Sequence, residues 1–175
     1  MKWFMRAFLV CAALAVFSGR SDAQVDLRAG GGLLVNPSRW GGQVAIDLPI
    51  GGTYPTFISP FVEWYRKGGV NAIPAGVSLI YKAPFSDRYG TVFFGVGAGL
   101  YRVSGSIPGI DVLTGALTTI TDSSTQFMIT AGGGLQLDVT DRVGPFIQMR
   151  WFRAFASGSK NEVSVTAGLG FKLGG

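Results

Sequence analysis

The segment from Glu162 to Leu173 constrains this chain more than any other. Val163, Val165, Ala167, Leu169, Phe171 and Leu173 fall on one face of an extended strand; Glu162, Ser164, Thr166, Gly168, Gly170 and Lys172 fall on the other. One face is wholly apolar, and the opposite face is polar or glycine. A wall that meets lipid on its outside and encloses a narrow polar interior requires this combination.

The same two-residue period recurs along the chain. Residues 25–36 set Val25, Leu27, Ala29, Leu33 and Val35 against Asp26, Arg28, Gly30 and Gly32. Further strands are expected at 43–50, 56–66, 73–82, 91–102, 126–139 and 143–153, with the closing strand after Asn161. No helical period persists. The connections after even-numbered strands read as short turns, and the longest connection, Val103 to Ser124, is expected as a loop. Strands of about ten residues match tilted membrane-spanning β-strands. The fold class expected is therefore all-β: an eight-stranded antiparallel up-and-down transmembrane β-barrel.

The N-terminal segment predicts export. Lys2 and Arg6 make a cationic start, Ala7 to Phe17 is an apolar run of 11 residues, and Ser21-Asp22-Ala23 offers small residues for cleavage after Ala23. The run is too short for a spanning helix, which needs about 20 residues. Residues 1–23 are thus expected as a cleaved signal peptide and 24–175 as the barrel. Removing 23 of the 175 residues leaves 152, one domain's worth.

Composition then excludes chemistry. Cys11 is the only cysteine and leaves with the signal; histidine is absent throughout. Ser-His and Cys-His catalysis and thiolate metal sites are excluded. Asp111 and Asp122 read as solvated loop carboxylates rather than a catalytic pair, and residues 105–109 lack the Lys-Ser/Thr ending of a phosphate loop. No enzyme activity, cofactor or metal is expected. Without Lys2, Arg6, Arg20 and Asp22, the 15 cationic and 10 acidic side chains become 12 and 9. That small excess, with no basic aromatic-interleaved block, argues against nucleic acid as a partner.

Three sets of residues carry the functional expectations. The charges on the glycine-rich face must pair inside a narrow barrel. Glu63 and Arg150 are expected to form one pair, and Arg28, Asp47, Lys82 and Asp138 a network nearer the periplasmic end. Such charges read as a structural plug or as an ion path, and the narrow interior of eight strands favours the plug. Phe57, Phe61, Phe93, Phe146 and Phe152 share that face, either as packing or as the wall of a small apolar ligand site. Trp40, Trp64 and Trp151 map to the outer strand ends, and Tyr54, Tyr81, Phe85, Tyr89 and Phe171 to the periplasmic ends, as two interfacial belts would.

The closing strand, with Gly168, Phe171 and Leu173, resembles the C-terminal assembly signal of bacterial outer-membrane proteins. Together with Gly95-Val96-Gly97-Ala98-Gly99-Leu100-Tyr101 and Leu135-Gln136-Leu137-Asp138-Val139-Thr140-Asp141-Arg142, it makes the chain similar to the small eight-stranded outer-membrane barrels: the OmpA transmembrane domain, OmpX and the opacity-type surface proteins. The resemblance implies a Gram-negative outer-membrane location and barrel-assembly machinery as a partner during insertion. It also implies a structural or surface-contact role, with residues 103–124 available to an extracellular partner. Two alternatives stay open: a narrow channel or carrier for small apolar solutes, and a soluble periplasmic ligand-binding barrel.

Overall fold

Alternation at period two leaves one face apolar on every strand, and such strands bury or shield that face only by closing a wall. The computed structural model describes residues 25–50, 55–86, 90–110, 117–155 and 160–173, with the backbone alone at 85–86, 107–110 and 117–121. The strands are β1 (Val25–Val35), β2 (Arg39–Pro49), β3 (Thr56–Lys67), β4 (Val70–Ser86), β5 (Gly90–Ile110), β6 (Leu117–Leu137), β7 (Val143–Phe155) and β8 (Lys160–Leu173). They form one closed antiparallel barrel in sequence order, with β8 pairing back onto β1. The expected signal segment lies outside the described residues.

The register fixes the barrel's shape. Steps between facing partners run from Val35 through Val163, Trp151, Ala131, Val96, Leu79 and Ile58 to Leu48. Asp47 faces Asp26, so Leu48 stands beside Val25, ten residues back along β1. A ten-residue stagger over eight strands gives a tilt of about 40° and a backbone radius of about 8 Å. Every residue on that path is apolar and points outward, so the pairing that sets the stagger also keeps the outer wall apolar.

Two expectations about connections are corrected. Residues 103–110 and 117–124, expected within one loop, are strand: β5 and β6 stay paired rung by rung out to Ile110 and Leu117, and 111–116 lie outside the described residues. The last strand partner on the β4 side is Val70, opposite Gly105, and β7 joins β6 only from Phe127 onward. The two strands therefore run beyond their neighbours as a ribbon. Its Ser, Thr and Gly content conceals a strand from hydropathy alternation, because neither face need be apolar once the ribbon has left the wall. Two other connections at that end are tight. β3 turns into β4 through Gly68-Gly69, both at positive φ (56° and 79°), the two-residue hairpin turn that glycine accepts without strain. β1 turns into β2 through residues 36–38, with Asn36 at φ 63°. At the end carrying the chain termini, Thr140 Oγ1 accepts hydrogen bonds from the backbone N–H groups of Arg142 and Val143 and closes the β6–β7 turn.

Glycine has a sharper cause than a narrow interior at Gly99. A Cβ there would lie 2.1 Å from the Ala75 carbonyl oxygen and 2.6 Å from the Gly76 Cα on β4. The neighbouring backbone, which cannot swing aside, excludes the side chain. Gly99→Ala is expected to destabilise the barrel by about 1–3 kcal/mol through overpacking. Gly105→Ala should be near neutral, because its nearest neighbour is the Val70 Cγ2 at 3.5 Å. Urea titrations of both variants refolded in lipid vesicles compare them; equal midpoints would remove the backbone-contact argument.

Candidate functional site: the packed lumen

Inward positions alternate along all eight strands, and they carry nearly all the charge. The layer nearest the termini is polar. Asp26 and Asp47 face each other directly across β1 and β2, a repulsive arrangement unless cations intervene. Lys82 from β4 supplies one, contacting Asp26 and sitting 2.7 Å from Asp47 Oδ2. Arg28 supplies the other, donating to Asp47 Oδ1 at 2.8 Å and to Gln148 Oε1 at 2.7 Å. Ser59 donates to Asp47 Oδ1 at 2.6 Å. Arg28 and Asp47 are fully buried, so each needs its partners.

The next layer crosses the barrel. Arg150 on β7 donates to Glu63 Oε1 on β3 at 2.7 Å. Three strands lie between β3 and β7 in either direction, so the pair is a strut across the diameter. The Tyr65 hydroxyl donates to the other carboxylate oxygen, Oε2, at 2.7 Å. Above lies an apolar and aromatic cluster that includes Leu34, Tyr65, Tyr101, Met128 and Phe152. The Tyr101 hydroxyl donates to Glu162 at its edge.

The inward phenylalanines cap the cations. Arg28 lies 4.4 Å from the Phe93 ring centroid and 5.9 Å from that of Phe146. Lys82 lies 4.4 Å from Phe57, and Arg150 lies 3.8 Å from Phe61. Each buried cation thus has carboxylate on one side and a ring face on another. A cavity of about 10 Å³ remains beside Phe93, Thr130, Gln148 and Arg150, room for about one water. The rings that a carrier would use to hold an apolar solute are already engaged.

One expected member of the lower network is misplaced. Asp138 follows the last residue of β6 and pairs with Lys172 at 2.8 Å, at the mouth and partly exposed. Asp26 takes the place expected for it. The reason is tilt: residues at equal distances from their strand ends do not share a level in a staggered barrel. Sequence reasoning also missed Tyr65, although it shares the parity of Glu63 two residues away, and Ile80, which points inward.

The remaining expected residues lie on the wall. Trp40 and Trp64 point outward and are exposed at the end away from the termini; Trp151 points outward and is half-buried. Tyr81 points outward at the opposite end, its ring centroid 5.3 Å from that of Phe94. Tyr54 and Tyr89, and the side chain of Phe85, lie outside the described residues. Gly168 faces Gly30 across the β1–β8 seam, Phe171 faces Leu27, and Leu173 faces Val25. Asp111 lies outside the described residues. No group of three or more acidic, histidine or cysteine side chains able to hold a metal occurs among the described residues.

An apolar outer wall around a charged, filled lumen defines the class of small transmembrane β-barrels, and the comparisons agree. The fold is similar to Neisserial surface protein A, with a TM-score of 0.62 at 15% identity, covering 86% of this chain and 96% of that one. It is similar to the N-terminal β-barrel domain of Pseudomonas aeruginosa OprF, with a TM-score of 0.58 at 17% identity, covering 86% and 97%. It is also similar to Ail, the attachment invasion locus protein of Yersinia pestis, with a TM-score of 0.54 at 10% identity, covering 86% and 97%. No protein-family model matches the chain, and no curated relative is similar in sequence.

Proposed function

We propose that this chain is a non-enzymatic outer-membrane barrel with a structural or surface-contact role. The observation that carries the proposal is the reversed polarity. Val96, Met149, Ile147 and Leu79 are each more than half exposed on the outside, while Arg28, Asp47, Glu63 and Arg150 are buried within. A soluble ligand-binding barrel would need the opposite arrangement. The outer-membrane barrels that share the fold support the location.

The working surface in this reading is the β5–β6 ribbon, which stands clear of the wall at the end away from the termini. An extracellular partner would meet it there. The β8 segment with Gly168, Phe171 and Leu173 would engage the assembly machinery before the seam with β1 closes. Catalysis has no support, since the lumen carboxylates Asp26, Asp47 and Glu63 are each held by a cation and Glu162 by the Tyr101 hydroxyl. The filled lumen also speaks against a carrier.

Cell fractionation with heat-modifiable gel migration tests the location. An epitope tag between Ile110 and Leu117 should be accessible on intact cells, and one within residues 51–54 should not. Recovery in the soluble periplasmic fraction, or the reverse labelling pattern, would overturn the reading. Planar bilayers should show no steady conductance; steady single-channel currents, or saturable uptake of an apolar solute lost in Phe93→Glu, would restore the channel or carrier.

A further inference from the structure

Outward positions on the eight strands are almost free of charge. Among the described residues, the charged side chains at outward-facing strand positions are Arg66, Arg102 and Arg153. All three are arginine, all lie at the end away from the termini, and they occupy alternate strands β3, β5 and β7. Each ends the same kind of triplet: Trp64-Tyr65-Arg66, Leu100-Tyr101-Arg102 and Trp151-Phe152-Arg153. The central aromatic of each triplet is buried in the lumen, at 0%, 2% and 1% exposure, which fixes the first and third residues on the outer wall. After correction for about 1.25 residues of stagger per strand, the three arginines fall within about two residues of one level. Trp40 faces Arg66 across β2 and β3, so an interfacial ring lies beside one of them as well as below.

We propose that Arg66, Arg102 and Arg153 form a collar that binds the phosphates of anionic lipid headgroups around the barrel. The proposal rests on the membrane-spanning reading above and adds a ligand to it. A charge on a lipid-facing position is costly unless it reaches a polar partner at the interface. None of the three forms an ion pair with another described residue. The Arg153 guanidinium lies 5.8 Å from the ring of Phe155, the next outward residue toward the rim, so it leans away from the middle of the wall. The planar guanidinium matches phosphate oxygens in pairs, which a lysine ammonium does not. Alternate strands place the arginines about 10 Å apart along the wall, so each meets a different lipid. Lumen-side Arg39, Lys67 and Lys160 keep the same rim electropositive, and the nearby Glu162 is engaged by Tyr101.

The test uses the full chain refolded into phosphatidylcholine vesicles with or without a diphosphorylated lipid A as the minor component. The thermal unfolding midpoint should rise with lipid A and fall back with added salt. The triple variant R66Q/R102Q/R153Q should keep the phosphatidylcholine midpoint and lose most of the rise; the corresponding triple lysine variant should retain part of it. If the triple glutamine variant does not fold, the single variants should each lose a share. Millimolar inorganic phosphate in phosphatidylcholine should not reproduce the rise. An undiminished rise in the glutamine variants would overturn the proposal. An equal rise with inorganic phosphate would show a small-anion site, and loss of the rise in R39Q/K67Q/K160Q alone would place the anion on the lumen side; either also overturns it. Failure of the wild type to enter vesicles would instead sink the membrane-spanning reading.

Discussion

Glu63→Gln is expected to destabilise the barrel by about 3–5 kcal/mol, because it strands the Arg150 guanidinium in the middle of the lumen. Arg150 is 3% exposed, and its carboxylate partner sits on the opposite wall. The neutral amide still fills the space and accepts a hydrogen bond, so the loss reports the missing charge rather than a cavity. Arg150→Met should cost a similar amount by leaving Glu63 with only the Tyr65 hydroxyl. The double variant places an amide opposite a thioether, with no unpaired charge, and should recover much of the loss. The coupling in a double-mutant cycle, measured by urea unfolding in vesicles, checks this. Additive losses would show that the strut contributes no coupling. The neighbouring Phe61 ring offers the guanidinium a π face at 3.8 Å, which tempers the single-variant cost without replacing a carboxylate.

Val96→Arg should cost about 2–4 kcal/mol, the range for a charge on the lipid face at mid-depth. Val96 is 62% exposed, and its strand partners Leu79 and Ala131 are apolar, so a guanidinium there finds no acceptor on the wall. Leu137→Arg should cost far less. Leu137 is the last residue of β6 and faces Gly90 at the barrel's edge, where a long side chain reaches water. The gradient is the informative quantity: equal tolerance of both substitutions in a vesicle refolding titration would remove the lipid-facing assignment. In a soluble barrel the two exposed positions would accept arginine alike.

Much of the fold was legible because a strand reports its two faces in order. Parity assigns Glu63, Arg150, Asp47 and Lys82 to one face and Val96, Leu79 and Trp64 to the other without any knowledge of the neighbouring strands. That information is local: it depends on the pleat alone. The strand ends were less legible. Residues 104–110 and 117–124 carry no alternating apolar face, and their pairing comes from the hairpin partner rather than from burial.

Residue order alone therefore sets the wall: which residues point outward, which point inward, and that the inward charges must neutralise one another. Which inward charges meet depends on how the barrel closes. Glu63 and Arg150 meet because β3 and β7 stand diametrically opposite, and Asp26 rather than Asp138 joins Lys82 because the ten-residue stagger shifts levels from strand to strand. The same closure brought three separated Trp/Leu–aromatic–Arg triplets to one rim. Parity is set by each residue's own backbone, whereas partner choice is set by strand number and shear, which exist only once the sheet has closed on itself.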